Sequence, residues 1–441
     1  MKARFFMGAM LFGAFTLSCS QQDDLIDSIS ENTIEYQVNE INSNTDIVTK
    51  DDAIFIATKF LNRLQTKSTQ SEAEPFYSST HEQIGYIVNF PESGFCIISS
   101  SKDLPPILAY SDNGYFESKN IDKIGISTWI ENLSQSKNIL SNEEKEINRK
   151  LWNYYKSSTP STIAFDNSEK TAALNKRINE INQEFNYSAE VKPLIAYKGT
   201  GIISDSSYEM FKNKGGSEEY TIVVCNKKNI GAEVKPLLKT RWYQEGAFGK
   251  YATNGYAGCT VIAAGQLMNY FRYPKTYNWD AISMNNYNNE AVSLLSKDIQ
   301  DKFNVKYGKE GTASTISDVK RGLEKFGYTV KQTSDPLSYN FIRKNHQPFY
   351  EQGCNDANEG HAWVVDGYKS FDYQYELIVE YQRENSGSFY YERDNTTYLY
   401  NDGSVVSTLT HYNWGWGGTE DGYYYEPKYK KNVKQLILSK P

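Results

Sequence analysis

The feature that most constrains this chain is a single apolar helix that begins at a thiol. In Asn254-Gly255-Tyr256-Ala257-Gly258-Cys259-Thr260-Val261-Ile262-Ala263-Ala264-Gly265-Gln266-Leu267-Met268-Asn269-Tyr270-Phe271, the positions Val261, Ala264, Met268 and Phe271 recur at spacings of three and four. That period predicts a buried helix starting at or just before Cys259, and Tyr273-Pro274 ends it. A thiol at a helix N-terminus sits where free N–H groups and the macrodipole favour negative charge, which makes it more nucleophilic. Gly258 before it lets another backbone approach closely. The competing reading is a structural cysteine on a core helix. Other residues must separate the two.

Histidine is scarce, with 4 in 441 residues, so each one narrows the choices. Gly360-His361-Ala362-Trp363-Val364-Val365-Asp366-Gly367-Tyr368 reads as a core strand with an imidazole at its mouth. Alone, His361 reads more readily as a satisfied core histidine. Beside a candidate nucleophile it becomes the base that takes the thiol proton. The two lie 361 − 259 = 102 residues apart, so they would meet in space and not in sequence. Downstream, His411-Tyr412-Asn413-Trp414-Gly415-Trp416-Gly417-Gly418 ends a strand in a Gly-rich loop. There Asn413 is placed to orient the imidazole, with Trp414 or Trp416 shielding that contact from water; a packed β-turn is the plainer reading. Trp242-Tyr243-Gln244 precedes the thiol by 259 − 244 = 15 residues, and the Gln244 amide is a candidate oxyanion donor.

The rest of the chain sets the context. A net charge of -7 with no basic stripe argues against nucleic acid as a partner. The five cysteines (Cys19, Cys96, Cys225, Cys259, Cys354) show no CxxC or metal-like spacing, so neither metal nor cofactor is expected. Lys2, Arg4 and the apolar run Phe5 to Phe15 form an export signal too short to span a bilayer, which needs roughly 20 residues. Thr16-Leu17-Ser18-Cys19 resembles a bacterial lipobox, with Thr where Leu is usual, and Ser20-Gln21-Gln22-Asp23-Asp24 is similar to the acidic tag that follows a lipidated Cys in surface lipoproteins of the Bacteroides group. Cys19 is thus the expected lipidation site, and the lipid the only membrane attachment. The expected location is the outer membrane or cell surface of a Gram-negative bacterium, with release after processing as a further outcome.

Residues 1–18 are read as signal, 19–48 as flexible stalk, 49–190 as an α+β segment, 191–233 as a boundary region and 234–441 as a second domain. Within the segment, a capping box at Thr49 to Asp52 opens a helix, strands fall at 84–88 and 95–98, and helices at 121–155 and about 170–186. Helices are also expected at 291–304 and 316–326, and strands toward the end of the chain, so the class is α+β.

Taken in order, Trp-x-Gln, Gly-Cys-Thr-Val-x-Ala-x-x-Gln-x-Met, Gly-His-Ala-x-Val-x-Asp-Gly-Tyr and Asn-Trp-Gly-Trp-Gly-Gly resemble the streptopain family of papain-like cysteine peptidases over about 235–441. Residues 50–116 resemble its inhibitory propeptide, through Gly94 to Ser99 and Leu104 to Ser111. The resemblance implies a papain-like, two-lobed catalytic domain in which a helix carries Cys259 and an antiparallel sheet carries His361, preceded by an α+β propeptide. It implies Cys259 as nucleophile, His361 as base, Gln244 as oxyanion donor, and Trp414 beside the histidine in place of papain's Asn. The expected activity is endopeptidase cleavage of protein or peptide substrates, silenced in cis by the propeptide. Rival readings are an inactive surface binding or inhibitor protein on the same fold, and an amine acyltransferase. The Tyr-rich stretch Lys369 to Ser407 is expected as an extra hairpin over the cleft, and Cys354 has no counterpart.

Overall fold

The computed structural model describes residues 47–61, 72–90, 94–155, 165, 168–185, 189–199, 202–229, 231–282, 289–308, 312–333, 337–355, 357, 359–400, 406–430 and 433–441. The export signal, Cys19 and the stalk up to residue 46 lie outside the described residues.

The N-terminal part is a meander held between helices. Helix α1 (Lys50–Phe60) starts at the expected capping box, with Thr49 accepting from the Asp52 N–H and Asp52 accepting from the Thr49 N–H. Strands β1 (Ala73–Tyr77), β2 (Gln83–Phe90), β3 (Gly94–Ser99) and β4 (Ile107–Ser111) pair antiparallel in sequence order. Their side chains alternate between two cores, as a period of two requires. Val88, Cys96 and Ile98 pack on Ala53, Ile56 and Ala57 of α1, joined by Leu151 and Trp152 of α3 (Asn142–Tyr155). Ile87, Phe95 and Ile97 face the other way, onto Ile126, Trp129 and Leu133 of α2 (Ile124–Ile139).

Next in sequence are α4 (Ser168–Glu184), β5 (Glu190–Pro193), α5 (Asp205–Gly215), β6 (Thr221–Asn229) and β7 (Glu233–Val234). The remainder holds α6 (Cys259–Phe271), α7 (Glu290–Phe303), the short β8 (Lys306–Tyr307) and β9 (Thr312–Ala313), α8 (Ile316–Lys325), β10 (Thr329–Gln332), α9 (Tyr339–Asn345) and β11 (Phe349–Cys354). It closes with β12 (Gly360–Asn385), β13 (Ser388–Arg393), β14 (Tyr398–Tyr400), β15 (Val406–Asn413), β16 (Gly422–Tyr425) and β17 (Lys434–Ser439). Helices α6, α7 and α8 build one lobe, with Val261, Leu267, Ile299 and Val319 in its core. The sheet β16-β15-β12-β11-β17-β10 builds the other. This α+β architecture is the two-lobed one expected of a papain-like catalytic domain.

The two parts share one sheet. Strand β4 pairs with β16 (Ala109 opposite Tyr424, Tyr110 opposite Tyr423), so the N-terminal meander extends the C-terminal sheet edge to edge. They also share a core: Phe95 and Trp129 pack in the same cluster as Trp363, Trp414 and Tyr424.

Strand β5 spans residues 190 and 191, and α4 packs through Leu174, Ile178 and Ile181 on Ile222 and Val224 of β6. One expectation is corrected here. The Tyr-rich stretch does form a hairpin, but it pairs with β6 and does not border the cleft. Its first strand continues β12 and pairs with β6 from Tyr373–Asn229 to Tyr381–Thr221, while β13 and β14 fold back on it. That pairing starts a dozen residues beyond His361, about 40 Å of extended chain. Tyr375, Leu377 and Val379 bury against Phe211 and Val223, and Glu380, fully buried, bonds Arg177 at 2.7 Å and Arg393 at 2.7 Å.

Candidate active site

Helix α6 begins at Cys259 itself. Its N-cap Gly258 has φ 98°, a left-handed conformation that glycine adopts without strain, and a Cβ there would lie 2.3 Å from Thr312 Oγ1. The glycine is thus required by its own dihedral and by a neighbouring side chain, not by an approaching backbone as the sequence suggested. Beyond the first residue the helix is buried on nearly all sides, which fixes where its start points. The half-buried Cys259 side chain packs on the core that contains Ala362, and the backbone amides of Ala362, Thr260 and Cys259 act on its thiol. Burial pushes the thiol above its usual range, and those three amides partly offset it.

His361 is the second residue of β12, and Ala362, which belongs to the core that Cys259 packs on, follows it directly. The thiol and the imidazole therefore come from two elements, α6 and β12, that pack on one another. The imidazole Nε2 donates to the Trp414 carbonyl at 2.9 Å, which leaves Nδ1 as the nitrogen with a free lone pair in the neutral ring. His361 is 6% exposed, and Trp416 covers it at 4.8 Å between ring centroids. Burial pushes its pKa down to about 4; the Trp414 carbonyl opposes this and the Lys123 charge reinforces it. In this state both partners are neutral.

Asn413 does not contact the imidazole through its own side chain. Its Nδ2 donates to the Thr240 carbonyl at 3.1 Å, and its Oδ1 accepts from Gln266 Nε2 at 2.8 Å and from the Gly415 N–H at 3.2 Å. The expected side-chain orienter is replaced by a main-chain carbonyl, and Asn413 holds the far side of that same Trp414–Gly415 peptide. Gln266, fully buried two turns along α6, ties three segments together: its Nε2 reaches Asn413, and its Oε1 accepts from Thr240 Oγ1 at 2.8 Å and from the Trp242 N–H at 3.4 Å. A polar amide in the middle of an apolar helix was the signal available in the sequence. Trp414 is fully buried, stacked on Trp416 at 5.5 Å, and its N–H donates to Asp421 Oδ1 at 2.8 Å. Burial raises the Asp421 pKa to about 7. Nearby, His411 Nδ1 and Asp366 Oδ1 pair at 2.6 Å; although burial opposes the charge, that carboxylate raises the imidazole pKa.

Gln244 is tied to the segment that leads into α6. Its carbonyl accepts from the Ala257 N–H at 2.8 Å, two residues before the nucleophile. Its side chain borders a cleft of ≈ 550 Å³ together with Tyr243, Gly415, Trp416, Thr419 and Lys123. The N-terminal part contributes Lys123 to the rim of that cleft and covers the imidazole beside it. At Gly125, in the first turn of α2, a Cβ would lie 2.8 Å from His361 Cδ2 and 2.8 Å from Trp414 Cζ3. The helix start thus rests directly on the imidazole. Gly125, Lys123 and Gln266 carried no assignment from sequence, because their roles exist only in tertiary contacts.

Cys354 ends β11 opposite Gly360, half-buried, next to Gly353, which pairs with His361. Among the described residues no group of three or more His, Cys, Asp or Glu side chains is arranged to hold a metal, and no helix is long and apolar enough to cross a membrane.

Residues 45–136 match the family model described as Spi protease inhibitor, and residues 275–424 match the Peptidase C10 family. The chain is similar to streptopain of Streptococcus pyogenes, 23% identical over 371 residues that span 77% of this chain and 73% of the relative. It is also similar to the thiol protease/hemagglutinin PrtT of Porphyromonas gingivalis, at 24% identity over 212 residues, 38% of this chain and 20% of that protein. Among solved structures, a fragment of prointerpain A from Prevotella intermedia matches 84% of this chain and 100% of that chain, at 17% identity and a TM-score of 0.41.

Proposed function

The chain belongs to the Peptidase C10 family and carries a Spi protease inhibitor segment, so it is a cysteine peptidase with a propeptide, and from that premise we propose the roles of its residues and its place in the cell. Cys259 is the nucleophile and His361 the base. With Nε2 bound to the Trp414 carbonyl, Nδ1 takes the thiol proton, and the thiolate attacks the scissile carbonyl of a protein or peptide substrate. The Cys259 N–H and the Gln244 side chain receive the oxyanion of the tetrahedral intermediate. Protonated His361 then gives its proton to the leaving amine, and water enters by the reverse sequence to release the acyl group. Trp414 orients the imidazole through its carbonyl, Trp416 keeps water from that bond, and Asn413 supports it from behind.

The observation that supports this reading is the packing of Cys259, at the start of α6, against the core that contains Ala362, the residue that follows His361 on β12. The precursor is silent because α2 covers the imidazole and burial holds both groups neutral. Replacing Cys259 by Ala should abolish hydrolysis of a casein or peptide substrate by processed enzyme while leaving the melting profile intact; retained hydrolysis would disprove the assignment. Export and attachment through a lipid on Cys19 follow from the leader, Lys2, Arg4 and the apolar run to Phe15. Metabolic labelling with a radioactive fatty acid should mark the wild type and fail with Cys19→Ser; equal labelling of both would refute the anchor.

A further inference from the structure

Glu420 is a buried carboxylate of the peptidase domain whose recorded polar partners come from the propeptide. Its side chain is 0% exposed, and it accepts from Asn120 Nδ2 at 2.5 Å and pairs with Lys123 Nζ at 3.1 Å. Both partners lie within the segment that matches the inhibitor model. The same Lys123 ammonium lies 4.6 Å from the centre of the Trp416 ring, and Trp416 in turn lies 4.8 Å from the ring of His361. One cation thus sits between a carboxylate and an indole face, immediately beside the imidazole. Lys123 also borders the open cleft together with Gln244 and Trp416, so the place it fills is continuous with the substrate channel.

The backbone at this point is unusual. Glu420 has φ 59°, the left-handed region that non-glycine residues rarely adopt, and it is held there by the Tyr424 hydroxyl donating to its carbonyl at 2.6 Å. Such strain is kept where the surrounding structure fixes a side chain for a purpose. When the propeptide leaves, the carboxylate loses Asn120 and Lys123 together. A carboxylate left without its counter-charge, next to an indole face, favours another cation in the vacated place. Asp421, the adjacent carboxylate, is already engaged by the Trp414 N–H.

We propose that Glu420 and Trp416 form a subsite for a basic side chain, lysine or arginine, of the substrate next to the scissile bond, and that Lys123 occupies this subsite in the precursor as a stand-in for it. The inference rests on the hydrolytic reading above. A lysine ammonium there gains an ion pair and a cation–π contact at once.

The experiment uses the full chain processed to active enzyme, with peptides identical except at one position on either side of the cleaved bond, carrying Lys, Arg, norleucine or Glu. At one such position kcat/KM for Lys or Arg should exceed that for norleucine by about tenfold or more, with Glu the poorest. In Glu420→Gln the Lys-to-norleucine ratio should fall to near unity. A wild-type ratio near unity at every position overturns the subsite, as does a ratio that survives Glu420→Gln. If that variant fails to accumulate as folded protein, the wild-type ratio and its decline with added salt decide the matter alone. Hydrolysis of every peptide without a basic preference refutes the subsite and keeps the peptidase; no hydrolysis of any peptide refutes both.

Discussion

Replacing Gly125 by Ala tests whether α2 silences the site by resting on the imidazole. The added Cβ would lie 2.8 Å from His361 Cδ2, 2.8 Å from Trp414 Cζ3 and 2.9 Å from Trp414 Cε3. Neither ring can yield easily. His361 is bonded to the Trp414 carbonyl, and Trp414 is fully buried against Trp363, Tyr412, Trp416 and Tyr424. Forcing a methyl into such packing costs about 1–3 kcal/mol. Alanine recovers up to about 1 kcal/mol of that through its better helix propensity. With the clash at about 2 kcal/mol, the middle of that range, the net of about 1–2 kcal/mol multiplies the population with α2 displaced by roughly 5–30. The assay is the rate at which a small alkylating reagent labels Cys259 in intact precursor, with whole-protein mass confirming that no cleavage has occurred. Gly125→Ala should label roughly 5–30 times faster than wild type, and Gly125→Val, bulkier and with less helix advantage, faster still. A rate equal to or below wild type in both variants would refute the steric account of latency.

Two further outcomes follow from the same contacts. His361 is held at a pKa of about 4 in the covered state and returns toward its ordinary value of about 6.5 when α2 lifts, so the covered state binds fewer protons in between. The advantage of that state is complete above about pH 6.5 and is lost as pH falls through about 4, up to roughly 3 kcal/mol; the raised carboxyl of Glu420 under the same helix works in the opposite sense. Hydrogen-exchange protection of α2, corrected for intrinsic rates, should therefore weaken from pH 6.5 to 4.5, and a flat profile would contradict it. Replacing Gln266 by Leu removes the amide that joins α6 to the Thr240–Trp242 segment and to Asn413. Processed enzyme should lose about 10–100-fold in kcat with little change in KM, and Gln266→Glu should recover part of it, because small displacements of reacting groups cost rate far more than binding; an equal rise in KM would argue for general loosening.

What the sequence reveals here follows from the range of each interaction. The helix starting at Cys259 and the strand starting near His361 are local patterns of period 3.6 and 2, and the structure places both as the spacing predicted. The capping box at Thr49 and Asp52 was legible for the same reason, since its partners lie three residues apart. The orienter of the imidazole was not. A main-chain carbonyl such as that of Trp414 leaves no trace in residue identity, whereas Asn413, which carries the right functional group, uses it on Thr240, Gln266 and Gly415. The Tyr-rich stretch was misplaced because its partner strand β6 lies about 150 residues earlier, and nothing in either segment alone names the other. Gly125 and Lys123 read as the start of an ordinary helix until the fold sets them on His361 and Trp416.

The central claim is that one thiol and one imidazole, borne on α6 and β12, act as a pair once α2 is gone. Its most direct measurement is trapping of processed enzyme with a thiol-directed peptidyl epoxide, with fragment masses locating the adduct and trapping rates followed against pH. The account predicts a single adduct on Cys259, formed at least about a hundredfold more slowly in His361→Ala. An adduct on Cys354 or elsewhere, or an undiminished rate without the imidazole, would contradict it.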